Sequence, residues 1–278
     1  AVLARHALGF DVVVSGDDVA EAKPAPALYK EAARQLTGDI LVVEDATNGI
    51  ESALAAGLKV VAFRNGHDRA TYHVESMGEV LDIVHGYRAF KGQVALEVVD
   101  VEQDATEADR VWEDQKNPNL SDRDMLAYLG HTLDRGTLTI SCFISSYRFF
   151  MSGQISPLAV SGITVDGSGG ILVAERWQVT EYSGRWELVP SGSLEDTDYE
   201  RQVLKELEEE AGVVGGTVES LGLVHDIDHD VYDIACRVRV EHLHAAGGRE
   251  YKKLKVVNDI GGMNLLPTSA AIRSLVRR

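Results

Sequence analysis

Residues 199–213 read YERQVLKELEEEAGV. Val203, Leu204, Leu207 and Ala211 recur at i, i+1, i+4 and i+8, one apolar stripe along a helix. Gly212 follows as a residue suited to close that helix in the left-handed conformation, so the pattern predicts a helix over Tyr199–Ala211. Glu206, Glu209 and Glu210 stand at i, i+3 and i+4 and project from a neighbouring face. Alone, an acidic run of this kind is an ordinary solvated surface, and each close pair repels by a few tenths of a kcal/mol. A divalent cation removes that repulsion. Carboxylates clustered on a rigid helix beside a glycine loop suit Mg²⁺ or Mn²⁺ and a diphosphate-bearing substrate.

The flanking text extends the pattern. GRWELVPSG (184–192) reads as a strand running into a Pro/Gly loop. PLAVSGITVDGSGGILVAERW (157–177) reads as two strands around a turn at Asp166–Gly170. Together with the acidic helix this resembles the Nudix box: Gly, five residues, Glu, seven residues, Arg-Glu, apolar, any, Glu-Glu, any, Gly, apolar. Lys205–Val213 fits its second half at every position except Lys205, which stands for Arg, and Gly192 fits the opening glycine. Asp198 follows Gly192 at the right distance but leaves the junction to Lys205 one residue short.

The resemblance implies an α/β/α-sandwich hydrolase with Glu206, Glu209 and Glu210 as metal ligands and as the source of the base that activates water. Lys205 would replace an arginine that orients a glutamate through a bidentate pair, which a point charge cannot reproduce. Glu250, in REYKKLKVV, is the candidate for a further acid that completes such sites. ISCFISSYRFFMSG, DIACRVRV and LLPTSAAIRSL add a similarity to divergent Nudix proteins that hydrolyse UDP-sugars. A UDP-sugar is therefore the favoured substrate. The alternatives are a non-catalytic nucleotide-sugar-binding module, or a phosphatase or phosphomutase fused to a Nudix half. HDIDHD (225–230) has His/Asp spacing that zinc could use, but a polar loop beside the substrate is the preferred reading.

Toward the N-terminus, DVVVS (11–15), ILVVE (40–44) and Lys59–Phe63 are β-branched runs separated by helical stretches at Ala25–Leu36 and Thr47–Ala56, with Gly57 closing the second. That alternation predicts parallel βαβ units. Lys23, in KPAP, and the Glu44-Asp45 pair at a strand end suit a phosphate and a Mg²⁺. Residues 1–75 resemble the haloacid dehalogenase superfamily, with Ala22 where a Gly is usual. The resemblance makes Lys23 the phosphate-binding lysine and Glu44 and Asp45 the Mg²⁺-holding acids. Its nucleophilic Asp-x-Asp motif has no counterpart before Lys23, so this half is expected to be a truncated Rossmann-like segment, catalytically silent as it stands.

The expected organisation is α/β throughout: a partial haloacid dehalogenase-like domain over 1–88, then a Nudix domain over 92–278 whose residues 94–150 form an N-terminal extension. VALEVVDVE (94–102) reads as a strand and Asp104–Glu113 as a helix. The 278 residues carry 44 Asp+Glu against 27 Lys+Arg, a formal net charge of -17. That balance argues against nucleic acid or an anionic membrane as partner, because both recruit basic surfaces. No apolar run approaches the ~18–20 residues of a membrane-spanning helix. Cys142 and Cys236 are too few and too far apart for a disulfide framework or a metal site, which fits buried, reduced thiols in the cytoplasm. The chain opens at Ala1 without Met or a signal-like segment and is read as a piece of a longer protein. Oligomeric state is not readable from these patterns.

Overall fold

The computed structural model describes residues 10–115, 120–176, 184–243 and 251–277. The chain is α/β and forms two compact units, Ala1–Leu81 and Asp82–Arg278.

In the first unit, α1 (Ala27–Arg34), β1 (Leu41–Glu44), α2 (Thr47–Ala55), β2 (Lys59–Phe63), β3 (Tyr72–Val74) and α3 (Met77–Val84) follow one another, the last crossing the division between units. The strands pair in parallel in the order β1-β2-β3, with Val42 opposite Val60 and Glu44 opposite Ala62. Val42, Ile50, Ala53, Val60 and Ala62 make the core. Gly57 closes α2 at φ 78°, a conformation that costs most side chains 1–2 kcal/mol. The expected strand at Asp11–Ser15 does not form. The segment pairs with no strand among the described residues, and Val13 is 65% exposed. β-branched residues favour an extended chain, but a strand also needs a neighbour to take its N–H and C=O groups.

The second unit contains β4 (Tyr87–Lys91), β5 (Gln93–Val98), α4 (Thr106–Asp114), β6 (Asp124–Asp134), β7 (Thr137–Ser146) and α5 (Tyr147–Met151). Then come β8 (Ser156–Asp166), β9 (Ile171–Arg176), β10 (Trp186–Leu188), β11 (Ser191–Ser193), α6 (Tyr199–Ala211), β12 (Thr217–Asp226), β13 (Val231–Val240), β14 (Tyr251–Val257) and α7 (Pro267–Arg277). Its mixed sheet runs β4-β12-β13-β8-β6-β7-β5, with β11 on β8, and with β9 joining β8, β10 and β14. β13 shows how the layers arise. Ile234, Cys236 and Val238 pack with Val203, Leu207 and Ala211 of α6, whereas Ala235 packs with Ala271, Ile272 and Leu275 of α7. Alternate residues of one strand thus bury a helix on each face, an α/β/α sandwich.

β4 corrects the expected boundary. Tyr87–Lys91 is a strand paired antiparallel with β12, and the units divide between Leu81 and Asp82. β5 and β7 pair in parallel and join the same sheet, so residues 94–150 continue this unit. The Asp166–Gly170 turn forms as expected: Asp166 Oδ1 accepts from the backbone N–H of Ser168 at 2.9 Å and of Gly170 at 2.8 Å. Cys142 and Cys236 are buried free thiols. Among the described residues, no helix is long and apolar enough to cross a membrane.

Candidate active site

The acidic helix α6 starts at Asp198, whose Oδ1 accepts from the Arg201 N–H at 3.0 Å, and ends at Gly212 with φ 68°. Asp198 is therefore an N-cap and satisfies one of the helix's orphan amides. Its position, one residue short of the box, fits that capping role. The loop facing α6 is fixed from the sheet side. β11 pairs with β8, placing Gly192 opposite Val160; the Gly162 N–H donates to the Pro190 carbonyl at 2.7 Å, and Thr164 Oγ1 donates to the Val189 carbonyl at 2.7 Å.

This brings Gly192 against Glu206. A Cβ at Gly192 would overlap the Glu206 carboxyl group, so any other residue there would force that carboxyl to move. Glu206 Oε1 accepts from Gln202 Nε2 at 2.7 Å, one helical turn back. Glu210 is 4% exposed. Its Oε2 accepts from the Ser191 N–H at 3.1 Å and its Oε1 from the Tyr251 hydroxyl at 2.8 Å. Burial pushes Glu210 up to about 8. The Tyr251 and Ser191 bonds oppose that push, and the charges of Glu187 and Glu206 add to it. Burial, then Glu187 and Glu210, drives the Tyr251 hydroxyl well above its ordinary range.

Glu187 is the acid that sequence reading missed. It lies on β10, 3% exposed, within electrostatic reach of both Glu210 and Tyr251. Its one signal is a charged residue between Trp186 and Leu188 in a short strand, informative only once Leu188 is known to be buried as well. Lys205 and Glu209 sit on the exposed side of α6. Lys205 Nζ reaches Glu195 Oε2 at 3.9 Å, an exposed pair worth ~1 kcal/mol or less. Lys205 thus pairs with Glu195, outside the three box glutamates. Glu250 lies outside the described residues.

Among the described residues, no three His, Cys, Asp or Glu side chains converge closely enough to hold a metal ion. Glu206 turns to Gln202, and Glu210 to Tyr251 and Ser191, as mutually repelling carboxylates do when neutral donors are in reach. The donor set itself fits Mg²⁺ or Mn²⁺: hard carboxylate oxygens, one pressed into a glycine cradle and two buried together at a charge cost that a cation offsets.

A cavity of about 530 Å³ opens from this cluster, lined by Glu187, Ser191 and Gly192 and by residues of β8, the β12–β13 turn and the start of α7. Asp226 and His229 of the HDIDHD stretch are on its wall. The stretch does not converge on a metal. His229 Nδ1 meets Asp226 Oδ1 at 3.1 Å, whereas His225 stacks on Tyr232 with ring centroids 4.0 Å apart and meets Asp230 at 3.0 Å.

In the first unit, the structure brings Lys23 and Glu44 together. Glu44 Oε1 accepts from both Lys23 Nζ and the Tyr29 hydroxyl. Gly49 of α2 admits the carboxyl group, since a Cβ there would overlap it. Burial pushes Glu44 up, but the Lys23 and Tyr29 bonds outweigh it and hold the group below its ordinary range. Burial also raises Tyr29, to about 12. Asp45 is exposed, and its backbone carbonyl accepts from Asn65 Nδ2 at 2.9 Å.

Comparison with known proteins matches residues 1–57 to the family model of haloacid dehalogenase-like hydrolases and residues 156–254 to that of the NUDIX domain. The N-terminal stretch is 43% identical over 56 residues to a bifunctional riboflavin kinase/FMN phosphatase of Arabidopsis thaliana, covering 19% of this chain and 15% of that protein. It is 42% identical over 57 residues to Protein CbbY of Cereibacter sphaeroides, covering 19% and 24%. The chain thus spans under a quarter of the length of these curated relatives. Among solved structures, the NUDIX domain of Shewanella oneidensis NrtR complexed with ADP ribose aligns at 20% identity over 43% of this chain and 85% of that one, with a TM-score of 0.37. An ADP-ribose pyrophosphatase from Streptococcus suis aligns at 20% identity over 43% and 86%, with a TM-score of 0.32. Each family match thus covers less than half of the chain, the NUDIX match lying within the second unit and the haloacid dehalogenase-like match within the first.

Proposed function

We propose that the second unit is a Mg²⁺-dependent hydrolase that cleaves the diphosphate of a nucleoside diphosphate linked to a sugar or a similar group, UDP-sugars being favoured. The observation behind this reading is the fit of Glu206 against Gly192, with Glu210 and Glu187 both buried and within electrostatic reach of one another. Glu206, Glu209 and Glu210 would hold Mg²⁺ or Mn²⁺; a bound ion supplies charge neutralisation of the diphosphate and acidification of a water molecule. Ser191 and Tyr251 fix the Glu210 carboxyl from two sides, and Gly192 sets the position of Glu206. Lys205 offers a point charge at the exposed side of the helix rather than a bidentate clamp. The free thiols suit a reducing compartment, for which the cytoplasm is the proposal.

The test is turnover of UDP-sugars with Mg²⁺ by the wild type and by Glu206→Gln, Glu209→Gln and Glu210→Gln. Each substitution should lower kcat by about 100-fold or more, the scale expected when a transition-state charge partner is removed. Equal activity in all four proteins would sink the mechanism. Tight UDP-sugar binding with no turnover by the wild type would make the domain a nucleotide-sugar-binding module.

A further inference from the structure

Two of the three box glutamates are held by buried, uncharged donors. Gln202, Glu206 and Glu210 stand at i, i+4 and i+8, a single row along α6 that meets the loop at Ser191 and Gly192. Gln202 is buried, and its Nε2 donates to Glu206 Oε1 at 2.7 Å. Tyr251 is buried as well, and its hydroxyl donates to Glu210 Oε1 at 2.8 Å from the start of β14, which β9 holds in register. A buried amide or phenol is costly without a partner, and each of these meets a carboxylate. Both donors stand on regular elements rather than on loops, so they fix where the two carboxyl groups lie.

Lys205, the cation next to Glu206 in the chain, is placed differently. It is exposed, and its ammonium lies 3.9 Å from Glu195. The distinction matters for a site that takes a cation. An ammonium or guanidinium bonded to these carboxylates would orient them but would also repel a metal ion bound beside it. An amide and a phenol fix the direction of a carboxylate and leave its charge to the metal. A carboxylate has ~four acceptor sites, so a donor on one oxygen still leaves the group able to ligate. Outer partners of metal ligands act in this way, and their loss typically costs ~10–100-fold in metal affinity or activity.

We infer that Gln202 and Tyr251 are the positioning residues of the metal site, Gln202 acting through Glu206 and Tyr251 through Glu210. The inference rests on the hydrolase reading above and deepens it, because it assigns part of the metal affinity to two residues that do not themselves ligate. Lys205 has no share in that orientation.

The test is Mn²⁺ binding to the whole chain, followed by the electron paramagnetic resonance signal of free Mn²⁺, which gives the Kd and the number of ions bound per chain separately. Gln202→Met and Tyr251→Phe nearly keep the volume of each side chain and delete its donor. Each should raise the Mn²⁺ Kd by about tenfold or more, with the number of ions bound unchanged. A role in folding alone would lower the number of ions bound, together with the thermal midpoint, and leave the Kd of the folded fraction as it was; that result overturns the assignment. So does a Lys205→Met variant that loses Mn²⁺ affinity as steeply as Tyr251→Phe, which would return the orienting role to Lys205. The two donors lie on different elements, so misfolding of one variant leaves the other to decide. Turnover of UDP-glucose with Mg²⁺, measured in parallel, separates this inference from the hydrolase reading. Weaker Mn²⁺ binding in the variants without turnover by the wild type removes the hydrolase and keeps the positioning role. Turnover by the wild type with Mn²⁺ binding unchanged in the variants keeps the hydrolase and removes the positioning role. A wild type that binds no Mn²⁺ overturns both.

Discussion

Gly192 and Asp233 illustrate how single residues set this site. Gly192 is not in the left-handed region; its role is purely steric, because any Cβ would push the Glu206 carboxyl aside. Gly192→Ala should leave the fold in place and misplace the carboxylate, and a shift of about 1 Å at reacting groups costs on the order of 100-fold in rate. The check is kcat with UDP-sugar beside the thermal midpoint; an unchanged kcat would refute the cradle. Asp233 tests burial instead. Burial pushes its carboxyl up to about 6, the Ser161 bond pulls the other way, and the Asp226 charge adds to the push. The folded state therefore holds this proton more tightly than the unfolded chain, whose value is near 3.8. Its favourable contribution is complete below about 3.8 and is lost as the pH rises through about 6, at roughly 1.4 kcal/mol per unit. Asp233→Asn keeps an oxygen for Ser161 and cannot titrate. Between pH 4 and pH 7 the wild type should lose about 2–3 kcal/mol relative to the variant in urea unfolding. A difference that is the same at both pH values would show that the carboxyl is not buried as described.

At the scale of elements, α6 does most to position the chemistry, and its two ends are testable apart from its glutamates. Asp198→Ala removes the N-cap and should cost about 1 kcal/mol of stability. Asp198→Asn should cost little, and both should keep kcat, since Asp198 caps the helix. A large fall in kcat for Asp198→Asn would return this residue to the reacting groups. Leu207→Ala, at a fully buried position, should cost 2–5 kcal/mol by opening a cavity against β13 and β8. This element was fully legible in the sequence, from its 3.6-residue period to Gly212, because a helix is specified by neighbours in the chain. β4 was not. Glycines flank Tyr87–Lys91 and suggest a break, and its partner β12 lies far along the sequence, so no local pattern announces the pairing. Asp11–Ser15 erred the other way: its composition favours a strand, but pairing is not a property of composition. Glu187 was hidden for a related reason, since a carboxyl in a three-residue strand joins the site only through the register of β10 on β9.

At the scale of the whole molecule, the two units differ in how much apolar surface holds each together. Among the described residues, the first unit's core cluster is Val42, Ile50, Ala53, Val60 and Ala62 beside a three-stranded sheet, and Val13, Leu36 and Val43 remain over a third exposed. The second has a cluster on each face of its large sheet, with Leu158, Val160, Leu223, Ile234 and Val238 fully buried in one of them. Burial stabilises in rough proportion to area, and a small core leaves little margin over conformational entropy. Amide exchange should therefore rank the sheets. Val60 and Val61, in the middle of β2, should exchange faster than Ile234 and Ala235 in the middle of β13, by at least about tenfold. Ile50→Ala, at the centre of the smaller core, should raise exchange throughout β1 and β2 while leaving β13 unchanged. Leu207→Ala should do the reverse. The physical content is that protection follows the depth of the local core rather than the mere presence of a strand. Equal protection of β2 and β13 in the wild type, or a response of β13 to Ile50→Ala as large as that of β2, would contradict it.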